Sequence, residues 1–501
     1  MTALAADMGN APQEATAART PFSRMALFGL LGFAAGLPFY MFSTVLALRL
    51  AEHGVGLVVI GFFAWVQLLP TFKFLWAPLL DRYAVPGFGR YWGKRRGWIM
   101  LAQLGIFTSM TAMAFTSSDT SLAVTALFAV LLAFWTTTLE VAADAWRIEL
   151  APTPETQGPL AAATLWGYRT AMVAAGSGAL LVADGTGWTA AYLTIAAAAF
   201  LPFPILAAMR AGEGTRGTRT GALIGGIAAS VAILAVAVAV TAAVGWVVLD
   251  AAARAGISGQ TNVTPYVLAI CMLPFLLMAA ALPRIRRAAP DSRLRASVAI
   301  GPYVDFFWRF GFAALVLMAF VSIYRMGDVL ALNLSKPMIR ELGYSLSQIG
   351  RADSYVALVA SMAGVGIGGY MTTKLPQGIT LAIGAVFAAI GNFGFVWLAH
   401  QQPSEGLLYV ATAADQFGNG MAGAVFVVYL SMLVNPKYPG AQYAFLSGFA
   451  FLLPRLLSGA GGAIERVIGY DGFFILSGVL SLAAILFLPL LGRIRPRAAD
   501  A

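Results

Sequence analysis

The stretch Thr71–Trp98, TFKFLWAPLLDRYAVPGFGRYWGKRRGW, decides how the chain is read. It opens inside an apolar run suited to a membrane, yet Lys73 lies about eight residues before that run ends. The run stops at Asp81-Arg82, and the loop behind it carries Arg90, Lys94, Arg95 and Arg96. A basic loop directly after an apolar span marks the side of a bilayer on which positive charge is retained. An ammonium group within a span costs about 2.5–3.5 kcal/mol on insertion scales, so it signals a pathway or a buried partner.

The same alternation covers the chain. Of its 501 residues 59% are hydrophobic and 11% charged, with a mean hydropathy of +0.79, whereas a soluble domain carries roughly 25% charged residues. Apolar runs of about 20 residues, each able to cross about 30 Å of hydrocarbon as a helix, recur throughout. They divide the chain into about 14 expected spans, so the expected fold is all-α and polytopic. With the N-terminus in the cytoplasm, the inside segments hold about 22 of the 32 Lys and Arg, the asymmetry that sets orientation. That distribution accounts for the net charge of +10 without a nucleic-acid surface. Cys271, the single cysteine, lies in an apolar segment, which excludes a disulfide framework and a multi-cysteine metal site. His53 and His400 stand at loop edges, and neither a metal nor a cofactor is expected.

Residues 1–24 read as a disordered cytoplasmic tail, because no basic segment precedes an apolar core as in a signal peptide. Residues 25–209 form a first group of six spans. Residues 210–310 hold two bland spans (221–249 and 264–283), read as lipid-facing, and the basic linker PRIRRAAPDSRLRASVAIGPYVDFFWR (283–309). Residues 311–491 form a second group of six, and 492–501 a cytoplasmic tail. Two six-helix bundles with a substrate path between them are the plan of major facilitator transporters. The run GVGIGG (364–369) fits a dinucleotide fingerprint formally, but inside a span with no preceding strand it reads as helix packing. The chain shows no Walker lysine motif, so an ATP-driven pump is not expected.

Charges inside the spans carry the chemistry. Glu140, Asp144 and Arg147, in TTTLEVAADAWRIEL, are spaced i, i+4, i+7 and share one helix face. Spans two and four run in the same direction, which brings Lys73 to the height of Glu140 and Asp144. Arg169, in LWGYRTAM, falls at a similar depth. One reading is a static network that locks helices. The other is a site that binds an anion and carries a proton, since desolvation and neighbouring cations pull a buried carboxylate in opposite directions. Arg325 and Asp328, in VSIYRMGDVL, can pair at i, i+3, and Asp415 shares a small-residue run with Asn419. Arg455 is a further charge in span thirteen. The rings of Trp76, Tyr168 and Tyr443 could stack on a sugar.

Taken in order, FKFLWAPLLDRY (72–83), GKRRGW (93–98), EVAADAWRIEL (140–150), GYR (167–169), YRMGDVL (324–330), GNGMAGAVFVVYLSML (418–433) and AQYAFLS (441–447) resemble AmpG-type muropeptide permeases. The resemblance spans essentially the whole chain, the extra helix pair included. It implies a major facilitator fold and a proton-coupled importer of the bacterial inner membrane. The implied cargo is N-acetylglucosaminyl-1,6-anhydro-N-acetylmuramyl peptides, taken up for cell-wall recycling. Acetyl-CoA transporters are a related branch. The chain departs from the family at Leu139-Glu140, commonly Gln-Asp, and at Trp146, commonly Tyr.

The candidate substrate-binding residues are then Lys73, Trp76, Tyr168, Arg169, Arg325, Asn419, Gln442 and Tyr443. Glu140, Asp144, Asp328 and Asp415 are the candidate proton carriers. Asp81, Arg82, Arg90, Lys94, Arg95, Arg96 and Arg147 form the candidate latch, since the corresponding loop in major facilitators holds the inner helix ends together. The expected partners are a small amino-sugar–peptide, protons and the lipid bilayer, for a monomer. Alternative readings keep the fold and change the cargo to acetyl-CoA, another sugar or a drug. A membrane-embedded enzyme or sensor is a rival class, although the chain shows no catalytic set and no soluble signalling domain.

Overall fold

The computed structural model describes residues 20–55, 65–116, 122–209, 221, 223–228, 250, 254, 276, 279–289, 292–458 and 461–497. Most of the two bland spans, most of the N-terminal tail and Cys271 lie outside the described residues, as does the beginning of the second expected span. Among the described residues the chain is helical, with no strand.

The N-terminal half opens with α1 (Phe22–Glu52), continuous through a π turn at Met41–Val45. A 3₁₀ segment Trp65–Leu75 leads into α2 (Ala77–Arg82), and α3 (Phe88–Trp92) crosses the basic loop. Then come α4 (Lys94–Phe115), α5 (Leu122–Leu150), α6 (Pro154–Val173), α7 (Ala179–Thr186) and α8 (Trp188–Ala208). A linker helix, α9 (Gly301–Phe310), precedes the C-terminal half. That half comprises α10 (Ala313–Glu341), α11 (Leu346–Met371), α12 (Gln377–Ala399), α13 (Glu405–Leu433), α14 (Pro439–Ser458) and α15 (Gly461–Ala483). Nine of the described helices are long and apolar enough to cross a membrane. The protein is a multi-pass membrane protein. Large apolar side chains such as Leu127, Val359 and Leu486 are exposed, as expected where the surrounding solvent is hydrocarbon.

The sequence pattern predicts one helix over 57–80, but Trp65–Leu75 is 3₁₀ and breaks at Trp76. Pro70 lies within that segment and lacks the N–H an α-helix needs, and Pro78 follows at the start of α2. Elsewhere local signals suffice. Ser345 and Gln348 form a reciprocal capping box that starts α11.

The helix pairings of the first half recur in the second. α1 packs on α6 as α10 packs on α14, and the 3₁₀ segment on α5 as α11 on α13. α4 meets α5 and α8 as α12 meets α13 and α15. The halves meet where α6 touches α11 and α13, and where α14 touches the 3₁₀ segment, α2 and α5. The GVGIGG run is packing. A Cβ on Gly364 would lie 2.1 Å from the Phe417 carbonyl oxygen of α13.

Candidate functional site

Between the halves lies a cavity of about 340 Å³, lined from the first half by α1, the 3₁₀ segment, α5 and α6 and from the second by α10, α11, α13 and α14. Lys73, Glu140, Asp144, Arg147, Tyr168, Arg169, Arg325, Asn419 and Tyr443 all reach it. The break that Pro70 imposes puts Lys73 on the cavity wall, where its Nζ lies 3.6 Å from Glu140 Oε2. Arg147 pairs with Asp144 at 2.9 Å, one turn earlier on α5. It also donates to Ser431 Oγ of α13 at 3.2 Å and lies 5.5 Å from the centre of the Tyr443 ring on α14. Arg169 crosses to the other half and donates to Asn419 Oδ1 at 3.3 Å. Arg325 pairs with Asp328 at 2.9 Å.

Other candidates fall elsewhere. Trp76 turns away from the cavity, donating to Thr138 Oγ1 at 3.2 Å and packing on the Phe134 ring. Asp328 lies behind Arg325 rather than on the wall, and Asp415 is held by the Gln416 amide at 2.8 Å, also off the wall. Gln442 is fully buried in a polar group below the cavity, where its amide donates to Asp305 Oδ2 at 2.9 Å. The in-span charge Arg455, outside the candidate set, does line the cavity. It donates to Thr71 Oγ1 at 2.7 Å, and its guanidinium and that of Arg325 each lie 5.5 Å from the Phe451 ring. An arginine inside a span is itself the signal for it. Asp305 stands in a stretch whose basic residues point only to topology.

At the Asp81 end the halves are tied together. Arg95 donates to Asp81 Oδ1 and to Glu149 Oε1, each at 2.7 Å, while Lys94 donates to the Asp81 backbone carbonyl at 2.8 Å. The Asp81 carboxylate in turn accepts the N–H groups of Gly440 (3.1 Å) and Ala441 (2.7 Å) at the start of α14. An anion set against free N–H groups at a helix N-terminus is favourable. Burial pushes the Asp81 carboxyl above its usual range, opposed by Arg95 and by these two N–H groups. Arg82 and Arg90 remain exposed, and Arg96 reaches the Met209 carbonyl at 3.4 Å.

Two halves of repeated helix pairing around a central charged cavity are the arrangement of the major facilitator fold. Among solved structures, the proton:xylose symporter XylE superimposes with a TM-score of 0.60 at 15% identity, over 95% of this chain and 96% of that one. The human organic anion transporter MFSD10 follows at 0.58 and 14%, over 93% and 99%. The chain is AmpG-like along its length. It is 27% identical over 461 residues to a putative transporter AmpG 4 of Rickettsia conorii, covering 92% of this chain and 94% of that protein. It is 25% identical over 470 residues to the anhydromuropeptide permease of Escherichia coli K12, covering 93% and 79%. No protein-family model matches the chain.

Proposed function

We propose that the protein imports anhydro-muropeptides by proton symport across the bacterial inner membrane, with both termini cytoplasmic, working as a monomer by alternating access. The observation that carries this reading is the cavity wall. Five cations, Lys73, Arg147, Arg169, Arg325 and Arg455, face two carboxylates, Glu140 and Asp144, which favours an anionic cargo. Arg169 reaches Asn419 in the opposite half, so a carboxylate bound there would touch both halves. Tyr168 and Tyr443 supply rings beside these charges for a sugar. In the Lys73–Glu140 pair, a proton on Glu140 would free Lys73 for cargo, which makes Glu140 the first proton carrier to test. Asp144, Asp328 and Asp415 are further carboxylates within the halves. Asp81, with Arg95 and Lys94, is the latch, joined by Arg147.

The AmpG-like sequence favours muropeptides over acetyl-CoA, simple sugars or drugs among cargoes of one fold. Purified protein in proteoliposomes with an acidic exterior should accumulate labelled N-acetylglucosaminyl-1,6-anhydro-N-acetylmuramyl tripeptide. Collapse of the pH gradient should reduce that uptake to equilibration. Uptake indifferent to the gradient would remove the symport claim, and competition by acetyl-CoA instead of muropeptide would replace the cargo.

A further inference from the structure

We infer that α9 is a further arm of the closure at the Asp81 end, anchored to the C-terminal half by Asp305 and touching the N-terminal half through Tyr303. The apolar residues Tyr303, Val304, Phe306, Phe307 and Phe310 recur at helical spacing in what is otherwise a basic linker, and all five are buried. Asp305 lies among them and is only 6% exposed.

Its carboxylate is shared: Oδ1 faces Arg295 of the linker at 4.0 Å, and Oδ2 engages the loop before α14 and that helix's first turn. Oδ2 accepts from Asn435 Nδ2 at 3.0 Å and from Gln442 Nε2 at 2.9 Å. Gln442 donates as well to the Pro302 carbonyl at 2.8 Å, and its Oε1 accepts the Asn435 N–H at 2.7 Å. Three consecutive residues of α14 are thus held from two directions. Gly440 and Ala441 are held by Asp81, and Gln442 by Asp305.

The opposite edge of α9 meets the first half more lightly. The Tyr303 hydroxyl donates to the Phe74 carbonyl, next in sequence to Lys73, and its ring packs edge-on against Phe74 with centroids 6.2 Å apart. Phe445 closes the group, 5.3 Å from Tyr303 and 6.1 Å from Phe74. The anchor includes charge-assisted bonds, whereas the opposite contact is one neutral bond and a ring edge, so the second is the weaker. To open at this end, α14 must leave α2 and the 3₁₀ segment. α9 then travels with α14, and the Tyr303–Phe74 contact parts. That contact sits one residue from Lys73, which places the cavity wall and the closure on one short piece of backbone.

The test uses the full-length protein in membrane vesicles of known sidedness, with Cys271→Ala removing the native thiol and Ser447→Cys placing one on the cavity wall. A membrane-impermeant maleimide is applied from the Asp81 side. Tyr303→Phe, which removes one oxygen and keeps the ring, should raise the labelling rate by about threefold to tenfold, the range expected for one lost hydrogen bond. Asp305→Ala should raise it at least as much, because α14 can then leave without parting the Tyr303–Phe74 hydrogen bond or ring contact. Should Asp305→Ala fail to accumulate in the membrane, Tyr303→Phe alone decides. Parental rates in Tyr303→Phe, alongside acceleration in Asp81→Ala, would overturn the inference. So would equal acceleration from both sides of the membrane, because that reports general loosening. The readout needs no cargo, so it succeeds or fails independently of the muropeptide assignment.

Discussion

Lys73 and Glu140 face each other across the wall of the cavity, with Nζ and Oε2 3.6 Å apart and side-chain exposures of 11% and 21%. One comes from a 3₁₀ segment and the other from the middle of a long α-helix, so the pair ties two elements at the height where cargo would bind. Removing one partner of a buried pair leaves an uncompensated charge, at a cost of about 3–5 kcal/mol where burial is complete. Lys73→Met and Glu140→Gln should therefore each lower thermal stability and reduce uptake by at least about tenfold, while the protein still inserts. The double variant should recover most of the stability and none of the coupled uptake. Melting curves of purified protein and counterflow in proteoliposomes separate the two effects. Full activity in Lys73→Met would assign the pair to helix packing.

Arg169 presents a planar fork to the other half through Asn419. A lysine keeps the charge but loses the fork, which costs most where a carboxylate is gripped bidentately. Arg169→Lys should raise KM for muropeptide by about tenfold with little change in maximal rate. Asn419→Ala, which leaves the guanidinium in place, should have a smaller effect. Concentration-dependent uptake measures both. Equal KM values in parent and Arg169→Lys would exclude a bidentate contact.

The in-span charges are legible in the sequence because hydrocarbon makes each one conspicuous. Helix periodicity then brings Glu140 to the height of Lys73 and pairs Arg325 with Asp328. What the sequence hides are partners with no side-chain signature. Asp81 is satisfied by the backbone N–H groups of Gly440 and Ala441, some 360 positions away, and no residue pattern announces that contact. Asp305 is obscured for another reason. Its neighbours' positive charges satisfy a topology rule, and the apolar period of 303–310 goes unnoticed beneath them. Trp76 and Gln442 fit a sugar-binding inventory by residue type, yet the break after Leu75 turns Trp76 outward, and the start of α14 carries Gln442 into the closure.

Trp76 offers a direct check on that difference. Its indole N–H serves Thr138 and its ring rests on Phe134, so it holds α5 rather than cargo. Trp76→Phe should leave KM for muropeptide unchanged and cost about 1 kcal/mol of stability, the net value of one hydrogen bond. A large rise in KM would return Trp76 to the cargo path.

Gly158 and Gly448 mark where the halves approach too closely for a side chain. A Cβ on Gly158 would lie 2.3 Å from Thr372 Oγ1 and 2.5 Å from the Gly369 carbonyl oxygen, and on Gly448 2.5 Å from the Thr71 carbonyl oxygen. Overpacking at such contacts costs about 1–3 kcal/mol, comparable to the few kcal/mol that separate two conformations of one protein. The strain falls only on the conformation closed at the Asp81 end, so Gly158→Val and Gly448→Val should shift the population away from it. Spin labels at Thr153→Cys and Lys374→Cys, in a Cys271→Ala background, would report a longer distance in either variant. Gly176→Ala, with open space around its Cβ, should leave the distribution unchanged. If the two valine variants lower the melting temperature without altering that distance, the glycines serve packing within a fixed interface, and the halves do not separate at this end.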